Sequence, residues 1–112
     1  MYALAFDLDM AQLAANRPGH ASGAYAEIRT VLVNGHGFRW TQGSLYILDG
    51  EDMSVLFRAI QALIALPWFP ASVRDIRAFR VEQWSDFTAT VQAGRGGGAG
   101  AGGGAGGGGV VR

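Results

Sequence analysis

The chain has 112 residues, no cysteine and no lysine, and its nine arginines balance nine acids for a formal charge of zero. That excludes a disulfide framework, a zinc knuckle and thiol chemistry, and it argues against a strongly basic nucleic-acid coat protein. Residues 94 to 109 hold twelve glycines, three alanines and Arg95, so one domain is expected over residues 1–93, where seven arginines face nine acids.

Residues 2 to 8 read as a strand, with Tyr2, Leu4, Phe6 and Leu8 on one face and Ala3, Ala5 and Asp7 on the other. Asp9 is placed to cap a short helical turn through Leu13, which Asn16-Arg17-Pro18-Gly19 ends. A helix from Ser22, read as its cap, to Val33 follows, with Tyr25, Ile28 and Leu32 as its buried stripe. Residues 37 to 48 predict two short strands around Gln42-Gly43.

A second helix is marked by Met53, Leu56, Phe57, Ile60, Leu63 and Ile64, with Asp49 read as its N-cap. Pro67 and Pro70 end it. The last strand is expected over Val73 to Val81, then a short helical piece near Ser85 to Val91. The order β-α-β-β-α-β predicts an α+β, ferredoxin-like sandwich with two helices on one face of an antiparallel sheet. Ala3, Ala5, Ile76 and Ala78 are expected on the other face, covered by a second copy in a homodimer. Residues 94–112 are expected to be a disordered Gly/Ala-rich tail, since they hold too little apolar surface to offset chain entropy.

No run approaches the roughly 20 apolar residues of a membrane span. Met1 leads into a strand-like run without a positively charged leader, so a cytoplasmic location and no membrane partner are expected.

The candidate chemistry sits at strand ends. Asp7 closes an otherwise apolar strand and costs free energy to bury unless paired, hydrogen-bonded or bound to a cation. Gly43 lets the backbone approach a phosphate, and the Ser44 hydroxyl beside it can donate to an oxygen. Gln42 and Tyr46 flank that pair as candidate contacts to a base or phosphate, Gln42 being equally suited to solvent and Tyr46 to the core. Arg74, Arg77 and Arg80 suit bidentate oxygen recognition, or salt bridges to Asp75, Glu82 or Asp86. Asp75 is a second candidate carboxylate if the first and last strands are neighbours. His20 and His36 fall outside these segments.

Four segments together resemble the virulence-associated protein D (VapD) family. They are Met1-Tyr2-Ala3-Leu4-Ala5-Phe6-Asp7-Leu8, Trp40-Thr41-Gln42-Gly43-Ser44-Leu45-Tyr46, Ala65-Leu66-Pro67-Trp68-Phe69, and the arginine-bearing run from Ser72 through Phe87. The resemblance covers about residues 1 to 92 and leaves out the glycine tail. It implies a dimeric ferredoxin-like endoribonuclease acting on single-stranded RNA, a toxin of a toxin–antitoxin pair with a cognate antitoxin protein. The family is also similar to the small nuclease subunit of CRISPR spacer acquisition, with Asp7 and Gln42-Gly43-Ser44-Leu45-Tyr46 at the matching positions.

On that reading Asp7, Ser44 and Asp75 are catalytic, while Gln42, Tyr46, Arg74 and Arg77 bind RNA. Two chemistries stay open. Asp7 from each of two subunits holds a Mg²⁺ that activates water, or a carboxylate directs attack by the ribose 2′-hydroxyl without a certain cofactor. The rival reading is a catalytically inactive dimeric scaffold that binds nucleic acid or protein, favoured by the −2 charge of residues 1–93.

Overall fold

The computed structural model describes residues 1 to 96 and shows a mixed α+β unit, Met1–Glu82, built on one antiparallel sheet. Its strands are β1 (Tyr2–Leu8), β2 (Arg39–Gln42), β3 (Leu45–Leu48) and β4 (Val73–Arg80), in the spatial order β2-β3-β1-β4. Helices α1 (Met10–Asn16), α2 (Ala21–Arg29), α3 (Met53–Ile64) and α4 (Phe69–Ser72) complete the unit. A second unit begins at Gln83 and contains α5 (Thr88–Gly96), whose start is fixed by the Asp86 carboxylate accepting from the Thr88 N–H at 2.9 Å. The helix expected near Ser85 thus begins at Thr88 and takes in Gly94 to Gly96. The disorder expected beyond them lies outside the described residues.

β1 is central because its alternation serves two neighbours at once. Tyr2, Leu4, Phe6 and Leu8 point into the main core with Ile28 and Leu32, and with Leu56 and Leu63 of α3. Each such side chain contributes roughly 1.5–3 kcal/mol when fully buried. Phe6 anchors an aromatic cluster, with ring centroids 6.3 Å from Tyr25, 6.2 Å from Tyr46 and 6.2 Å from Phe69.

Several local expectations need correction. Ile76 pairs with Phe6 and Ala78 with Leu4, so both face the helices instead of the opposite side. On that opposite side Ala3 and Ile47 are buried, while Phe79 is half exposed. Asp52, not Asp49, caps α3, accepting from the Ser54 N–H at 2.9 Å. Asp49 is held elsewhere, by Arg39 at 2.6 and 2.9 Å.

α2 starts one residue before Ser22 with His20 at its cap, and past Arg29 it loosens into a π-helical turn, Thr30–Asn34. The stripe survives this change of pitch, since Ile28 and Leu32 are both fully buried. Pro70 lies in the first turn of the short α4 rather than terminating α3, a position where its missing N–H costs nothing.

Candidate active site

The C-terminal end of β1 is where the candidate residues meet. The β1–β4 register sets Asp7 directly opposite Asp75 and Ala5 opposite Arg77, so all four share the face away from the helices. On the other flank Ala5 opposes Leu45, and the Phe6 N–H donates to the Ser44 carbonyl at 3.3 Å. That bond brings the Gly43-Ser44 turn beside Asp7. The turn is tight enough to need Gly43 at φ +48°, a left-handed conformation that glycine adopts without strain. Ser44, Asp7 and Asp75 therefore lie across three adjacent strands at one end of the sheet.

A bulge places the arginine. Leu8 pairs with Val73 and Asp7 with Asp75, leaving Arg74 as the extra residue of β4. Val73 stays packed on the core, and Arg74 reaches two carboxylates: Nη1 lies 3.5 Å from Asp7 and Nη2 3.7 Å from Asp9. The junction is pinned by the Asp9 N–H, which donates to the Ser72 carbonyl at 2.8 Å. Asp9 also caps α1 as expected, accepting from the Ala11 and Gln12 N–H groups at 3.0 and 3.1 Å. The Gln12 bond, with Arg74 adding to it, holds the Asp9 carboxyl below its usual range. Arg77 Nε donates to both Asp75 oxygens at 3.1 Å.

These contacts are open to water. The Asp7 side chain is 62% exposed, so the burial cost anticipated for it does not arise. Arg74 and Arg77 are more than half exposed too. Exposed pairs of this kind are worth about 0–1 kcal/mol. Either guanidinium can therefore exchange a carboxylate for a phosphate oxygen at small cost.

The other sequence candidates divide. Gln42 is exposed at the end of β2, next to the turn. Tyr46 is 1% exposed and stacked in the core, so its ring offers no face to a base. Burial pushes its hydroxyl pKa up, while Arg29 nearby pulls the other way. Arg80 lies at the far end of β4, 3.1 Å from Glu51. Asp9 was legible as a cap; its sharing of Arg74 with Asp7 depends on the bulge, which no sequence signal marked.

Among the described residues no three histidines or carboxylates gather as a metal-ligand set. Asp7 and Asp75 are each engaged by an arginine, so one chain's donors do not fit a preformed metal centre. A shallow pocket lined by Met1, Asp49, Glu51, Arg80, Val81 and Glu82 lies at the opposite end of β1, away from these groups. Among the described residues no helix is long and apolar enough to cross a membrane.

No protein-family model matches the chain. Curated proteins do. An endoribonuclease VapD homolog of Neisseria gonorrhoeae is 58% identical over 93 residues, spanning 83% of this chain and 100% of that protein. Endoribonuclease VapD of Dichelobacter nodosus is 50% identical over 92 residues, 82% of this chain and 98% of its own length. That of Haemophilus influenzae is 53% identical over 88 residues, 79% and 94% of the two chains. With identities this high over nearly the whole length of each relative, the chain belongs to the VapD family.

Proposed function

We propose that this chain is an endoribonuclease that cleaves single-stranded RNA at the Asp7 end of the sheet. The observation that carries the reading is the register that sets Asp7 against Asp75 with an exchangeable arginine on each. Arg74 and Arg77 move onto the non-bridging oxygens of the scissile phosphate and neutralise charge as it builds. One of the two carboxylates takes the proton of the ribose 2′-hydroxyl, and the 2′-oxygen attacks phosphorus. The bond to the 5′-oxygen breaks, and that oxygen leaves protonated by the other acid or by water. The products are a 2′,3′-cyclic phosphate and a 5′-hydroxyl. Ser44 and Gln42 flank the phosphate and the adjoining nucleotide.

The fold reading goes with it. The strand order β2-β3-β1-β4, with α2 between β1 and β2 and α3 between β3 and β4, supports a ferredoxin-like sandwich. β4 is an edge strand carrying the half-exposed Phe79, which supports a homodimer formed along it. A toxin role with an antitoxin protein as partner, in the cytoplasm, rests on the kinship with VapD relatives.

The test is cleavage of a defined RNA by purified wild-type and Asp7→Asn protein, with analysis of the product ends. Cyclic phosphate ends formed equally with and without a chelator, and lost in the variant, support the reading. Equal cleavage by both preparations would point to a contaminating nuclease and leave the inactive scaffold standing.

A further inference from the structure

Of the seven arginines of the first unit, Arg17, Arg39, Arg74, Arg77 and Arg80 each meet a carboxylate and Arg58 donates to Ser54 Oγ at 3.3 Å, whereas Arg29 has no ion pair among the described residues. Its guanidinium carbon instead lies 3.8 Å from the centroid of the Trp40 ring, and its Nε is buried without a hydrogen-bond partner among the described residues. The Trp40 indole is fixed at its other edge, where Nε1 donates to the Gly43 carbonyl at 2.9 Å. A cation thus backs one face of an immobilised ring, yet Trp40 remains 46% exposed.

We infer that Trp40, backed by Arg29, is a stacking platform for an unpaired nucleobase of the RNA substrate. The inference rests on the nuclease reading above and extends it to a subsite that positions the chain. A base can lie on the indole face away from Arg29, and the guanidinium behind it, which has no ion pair among the described residues, favours the adjoining phosphate. Location supports this occupant. Gly43, which holds the indole, is followed by Ser44, whose carbonyl takes the N–H of Phe6, the neighbour of Asp7. Trp40 pairs with Tyr46 on the helix side of the sheet, while Asp7 lies on the other side. A strand stacked on Trp40 therefore rounds the Gly43-Ser44 turn before its next linkage reaches the carboxylates. A duplex cannot take that path, which restricts the subsite to single-stranded RNA.

The experiment has two arms. In the first, the steady-state cleavage of a defined single-stranded RNA is compared for wild type, Trp40→Phe and Trp40→Leu. The expected result is a KM raised about tenfold by Trp40→Leu, a typical value for one base–aromatic stack. Values of kcat stay little changed, and Trp40→Phe retains most of the affinity. In the second, a 2′-O-methyl oligonucleotide, which cannot be cleaved, is titrated into a Trp84→Phe variant whose remaining indoles are the exposed Trp40 and the buried Trp68. Quenching that disappears when Trp40 is also replaced supports the platform. An unchanged KM in Trp40→Leu, or quenching that persists without Trp40, overturns it. So does a changed sedimentation coefficient of Trp40→Leu without RNA, since the ring would then be a contact between copies. Because the second arm needs no cleavage, quenching through Trp40 alongside Asp7-independent cleavage would sink the nuclease reading and leave the platform.

Discussion

The two ends of β1 carry the same kinds of side chain in opposite arrangements. At its start, the Glu51 carboxylate is claimed by both the amino group of Met1 and Arg80, so it has two cationic partners. At its end, Asp7 and Asp75 face each other from adjacent strands, and Asp9 joins Asp7 on Arg74. Like charges directly opposite in a sheet are destabilising. The first cluster is explained by holding the chain terminus against the fold. The second contains a repulsion that folding does not require, which is why it is the better place to look for chemistry.

The contrast breaks most sharply with a pair of isosteric changes. Asp7→Asn is expected to lower kcat/KM for RNA cleavage by about 10²–10⁴-fold, the usual worth of a general acid or base. Its melting temperature should not fall, because the change removes a like-charge contact. Glu51→Gln should do the reverse, leaving cleavage intact. A Glu51→Gln enzyme as impaired as Asp7→Asn would erase the distinction between the ends.

Phe6→Ala tests what both ends share. It empties the centre of the aromatic cluster and should cost roughly 3–5 kcal/mol in urea unfolding. A loss below about 1 kcal/mol would mean that β1 is not the central packed strand described.

Arg77→Gln sharpens the phosphate role. It should weaken RNA binding by a similar factor whatever the sequence and reduce the salt dependence by about one unit of slope. An unchanged slope would leave Arg77 as a partner of Asp75 alone.

The smallest effect is in acid. Arg17, then the Trp68 N–H, hold the Glu27 carboxyl below its ordinary 4.5, with contacts at 2.6 and 2.9 Å. A depressed acid contributes stability that is present above its unfolded value and lost as the pH falls through the folded one. Stability should therefore decline below about pH 4.5, and Glu27→Gln should flatten that decline by less than about 1 kcal/mol, since the carboxylate is partly exposed. An unflattened curve would show that Glu27 contributes nothing there.

Much of this was legible in the residues because alternation and turn chemistry are local. The period-two pattern of Tyr2 to Leu8 set its faces, and Gly43 marked the hairpin that carries Ser44. The meeting of Asp7 with Asp75 followed from expecting the first and last strands to be neighbours. What escaped depends on long-range register. Arg39 draws off Asp49, which leaves Asp52 to cap α3, and the strand face of Ile76 cannot be assigned without its partner Phe6. Tyr46 was ambiguous because an aromatic residue on a half-buried strand suits either a core or a ligand. Only its packing against Phe6 decides.

The extra residue in β4 has a consequence for engineering. Removing Arg74 would leave the segment one step short, so the chain could keep either Val73 against the hydrophobic interior or Asp75 beside its counterpart, not both. Loop-shortening schemes that treat the stretch between α4 and Asp75 as spare length would thus disturb either the core contact of Val73 or the proposed site.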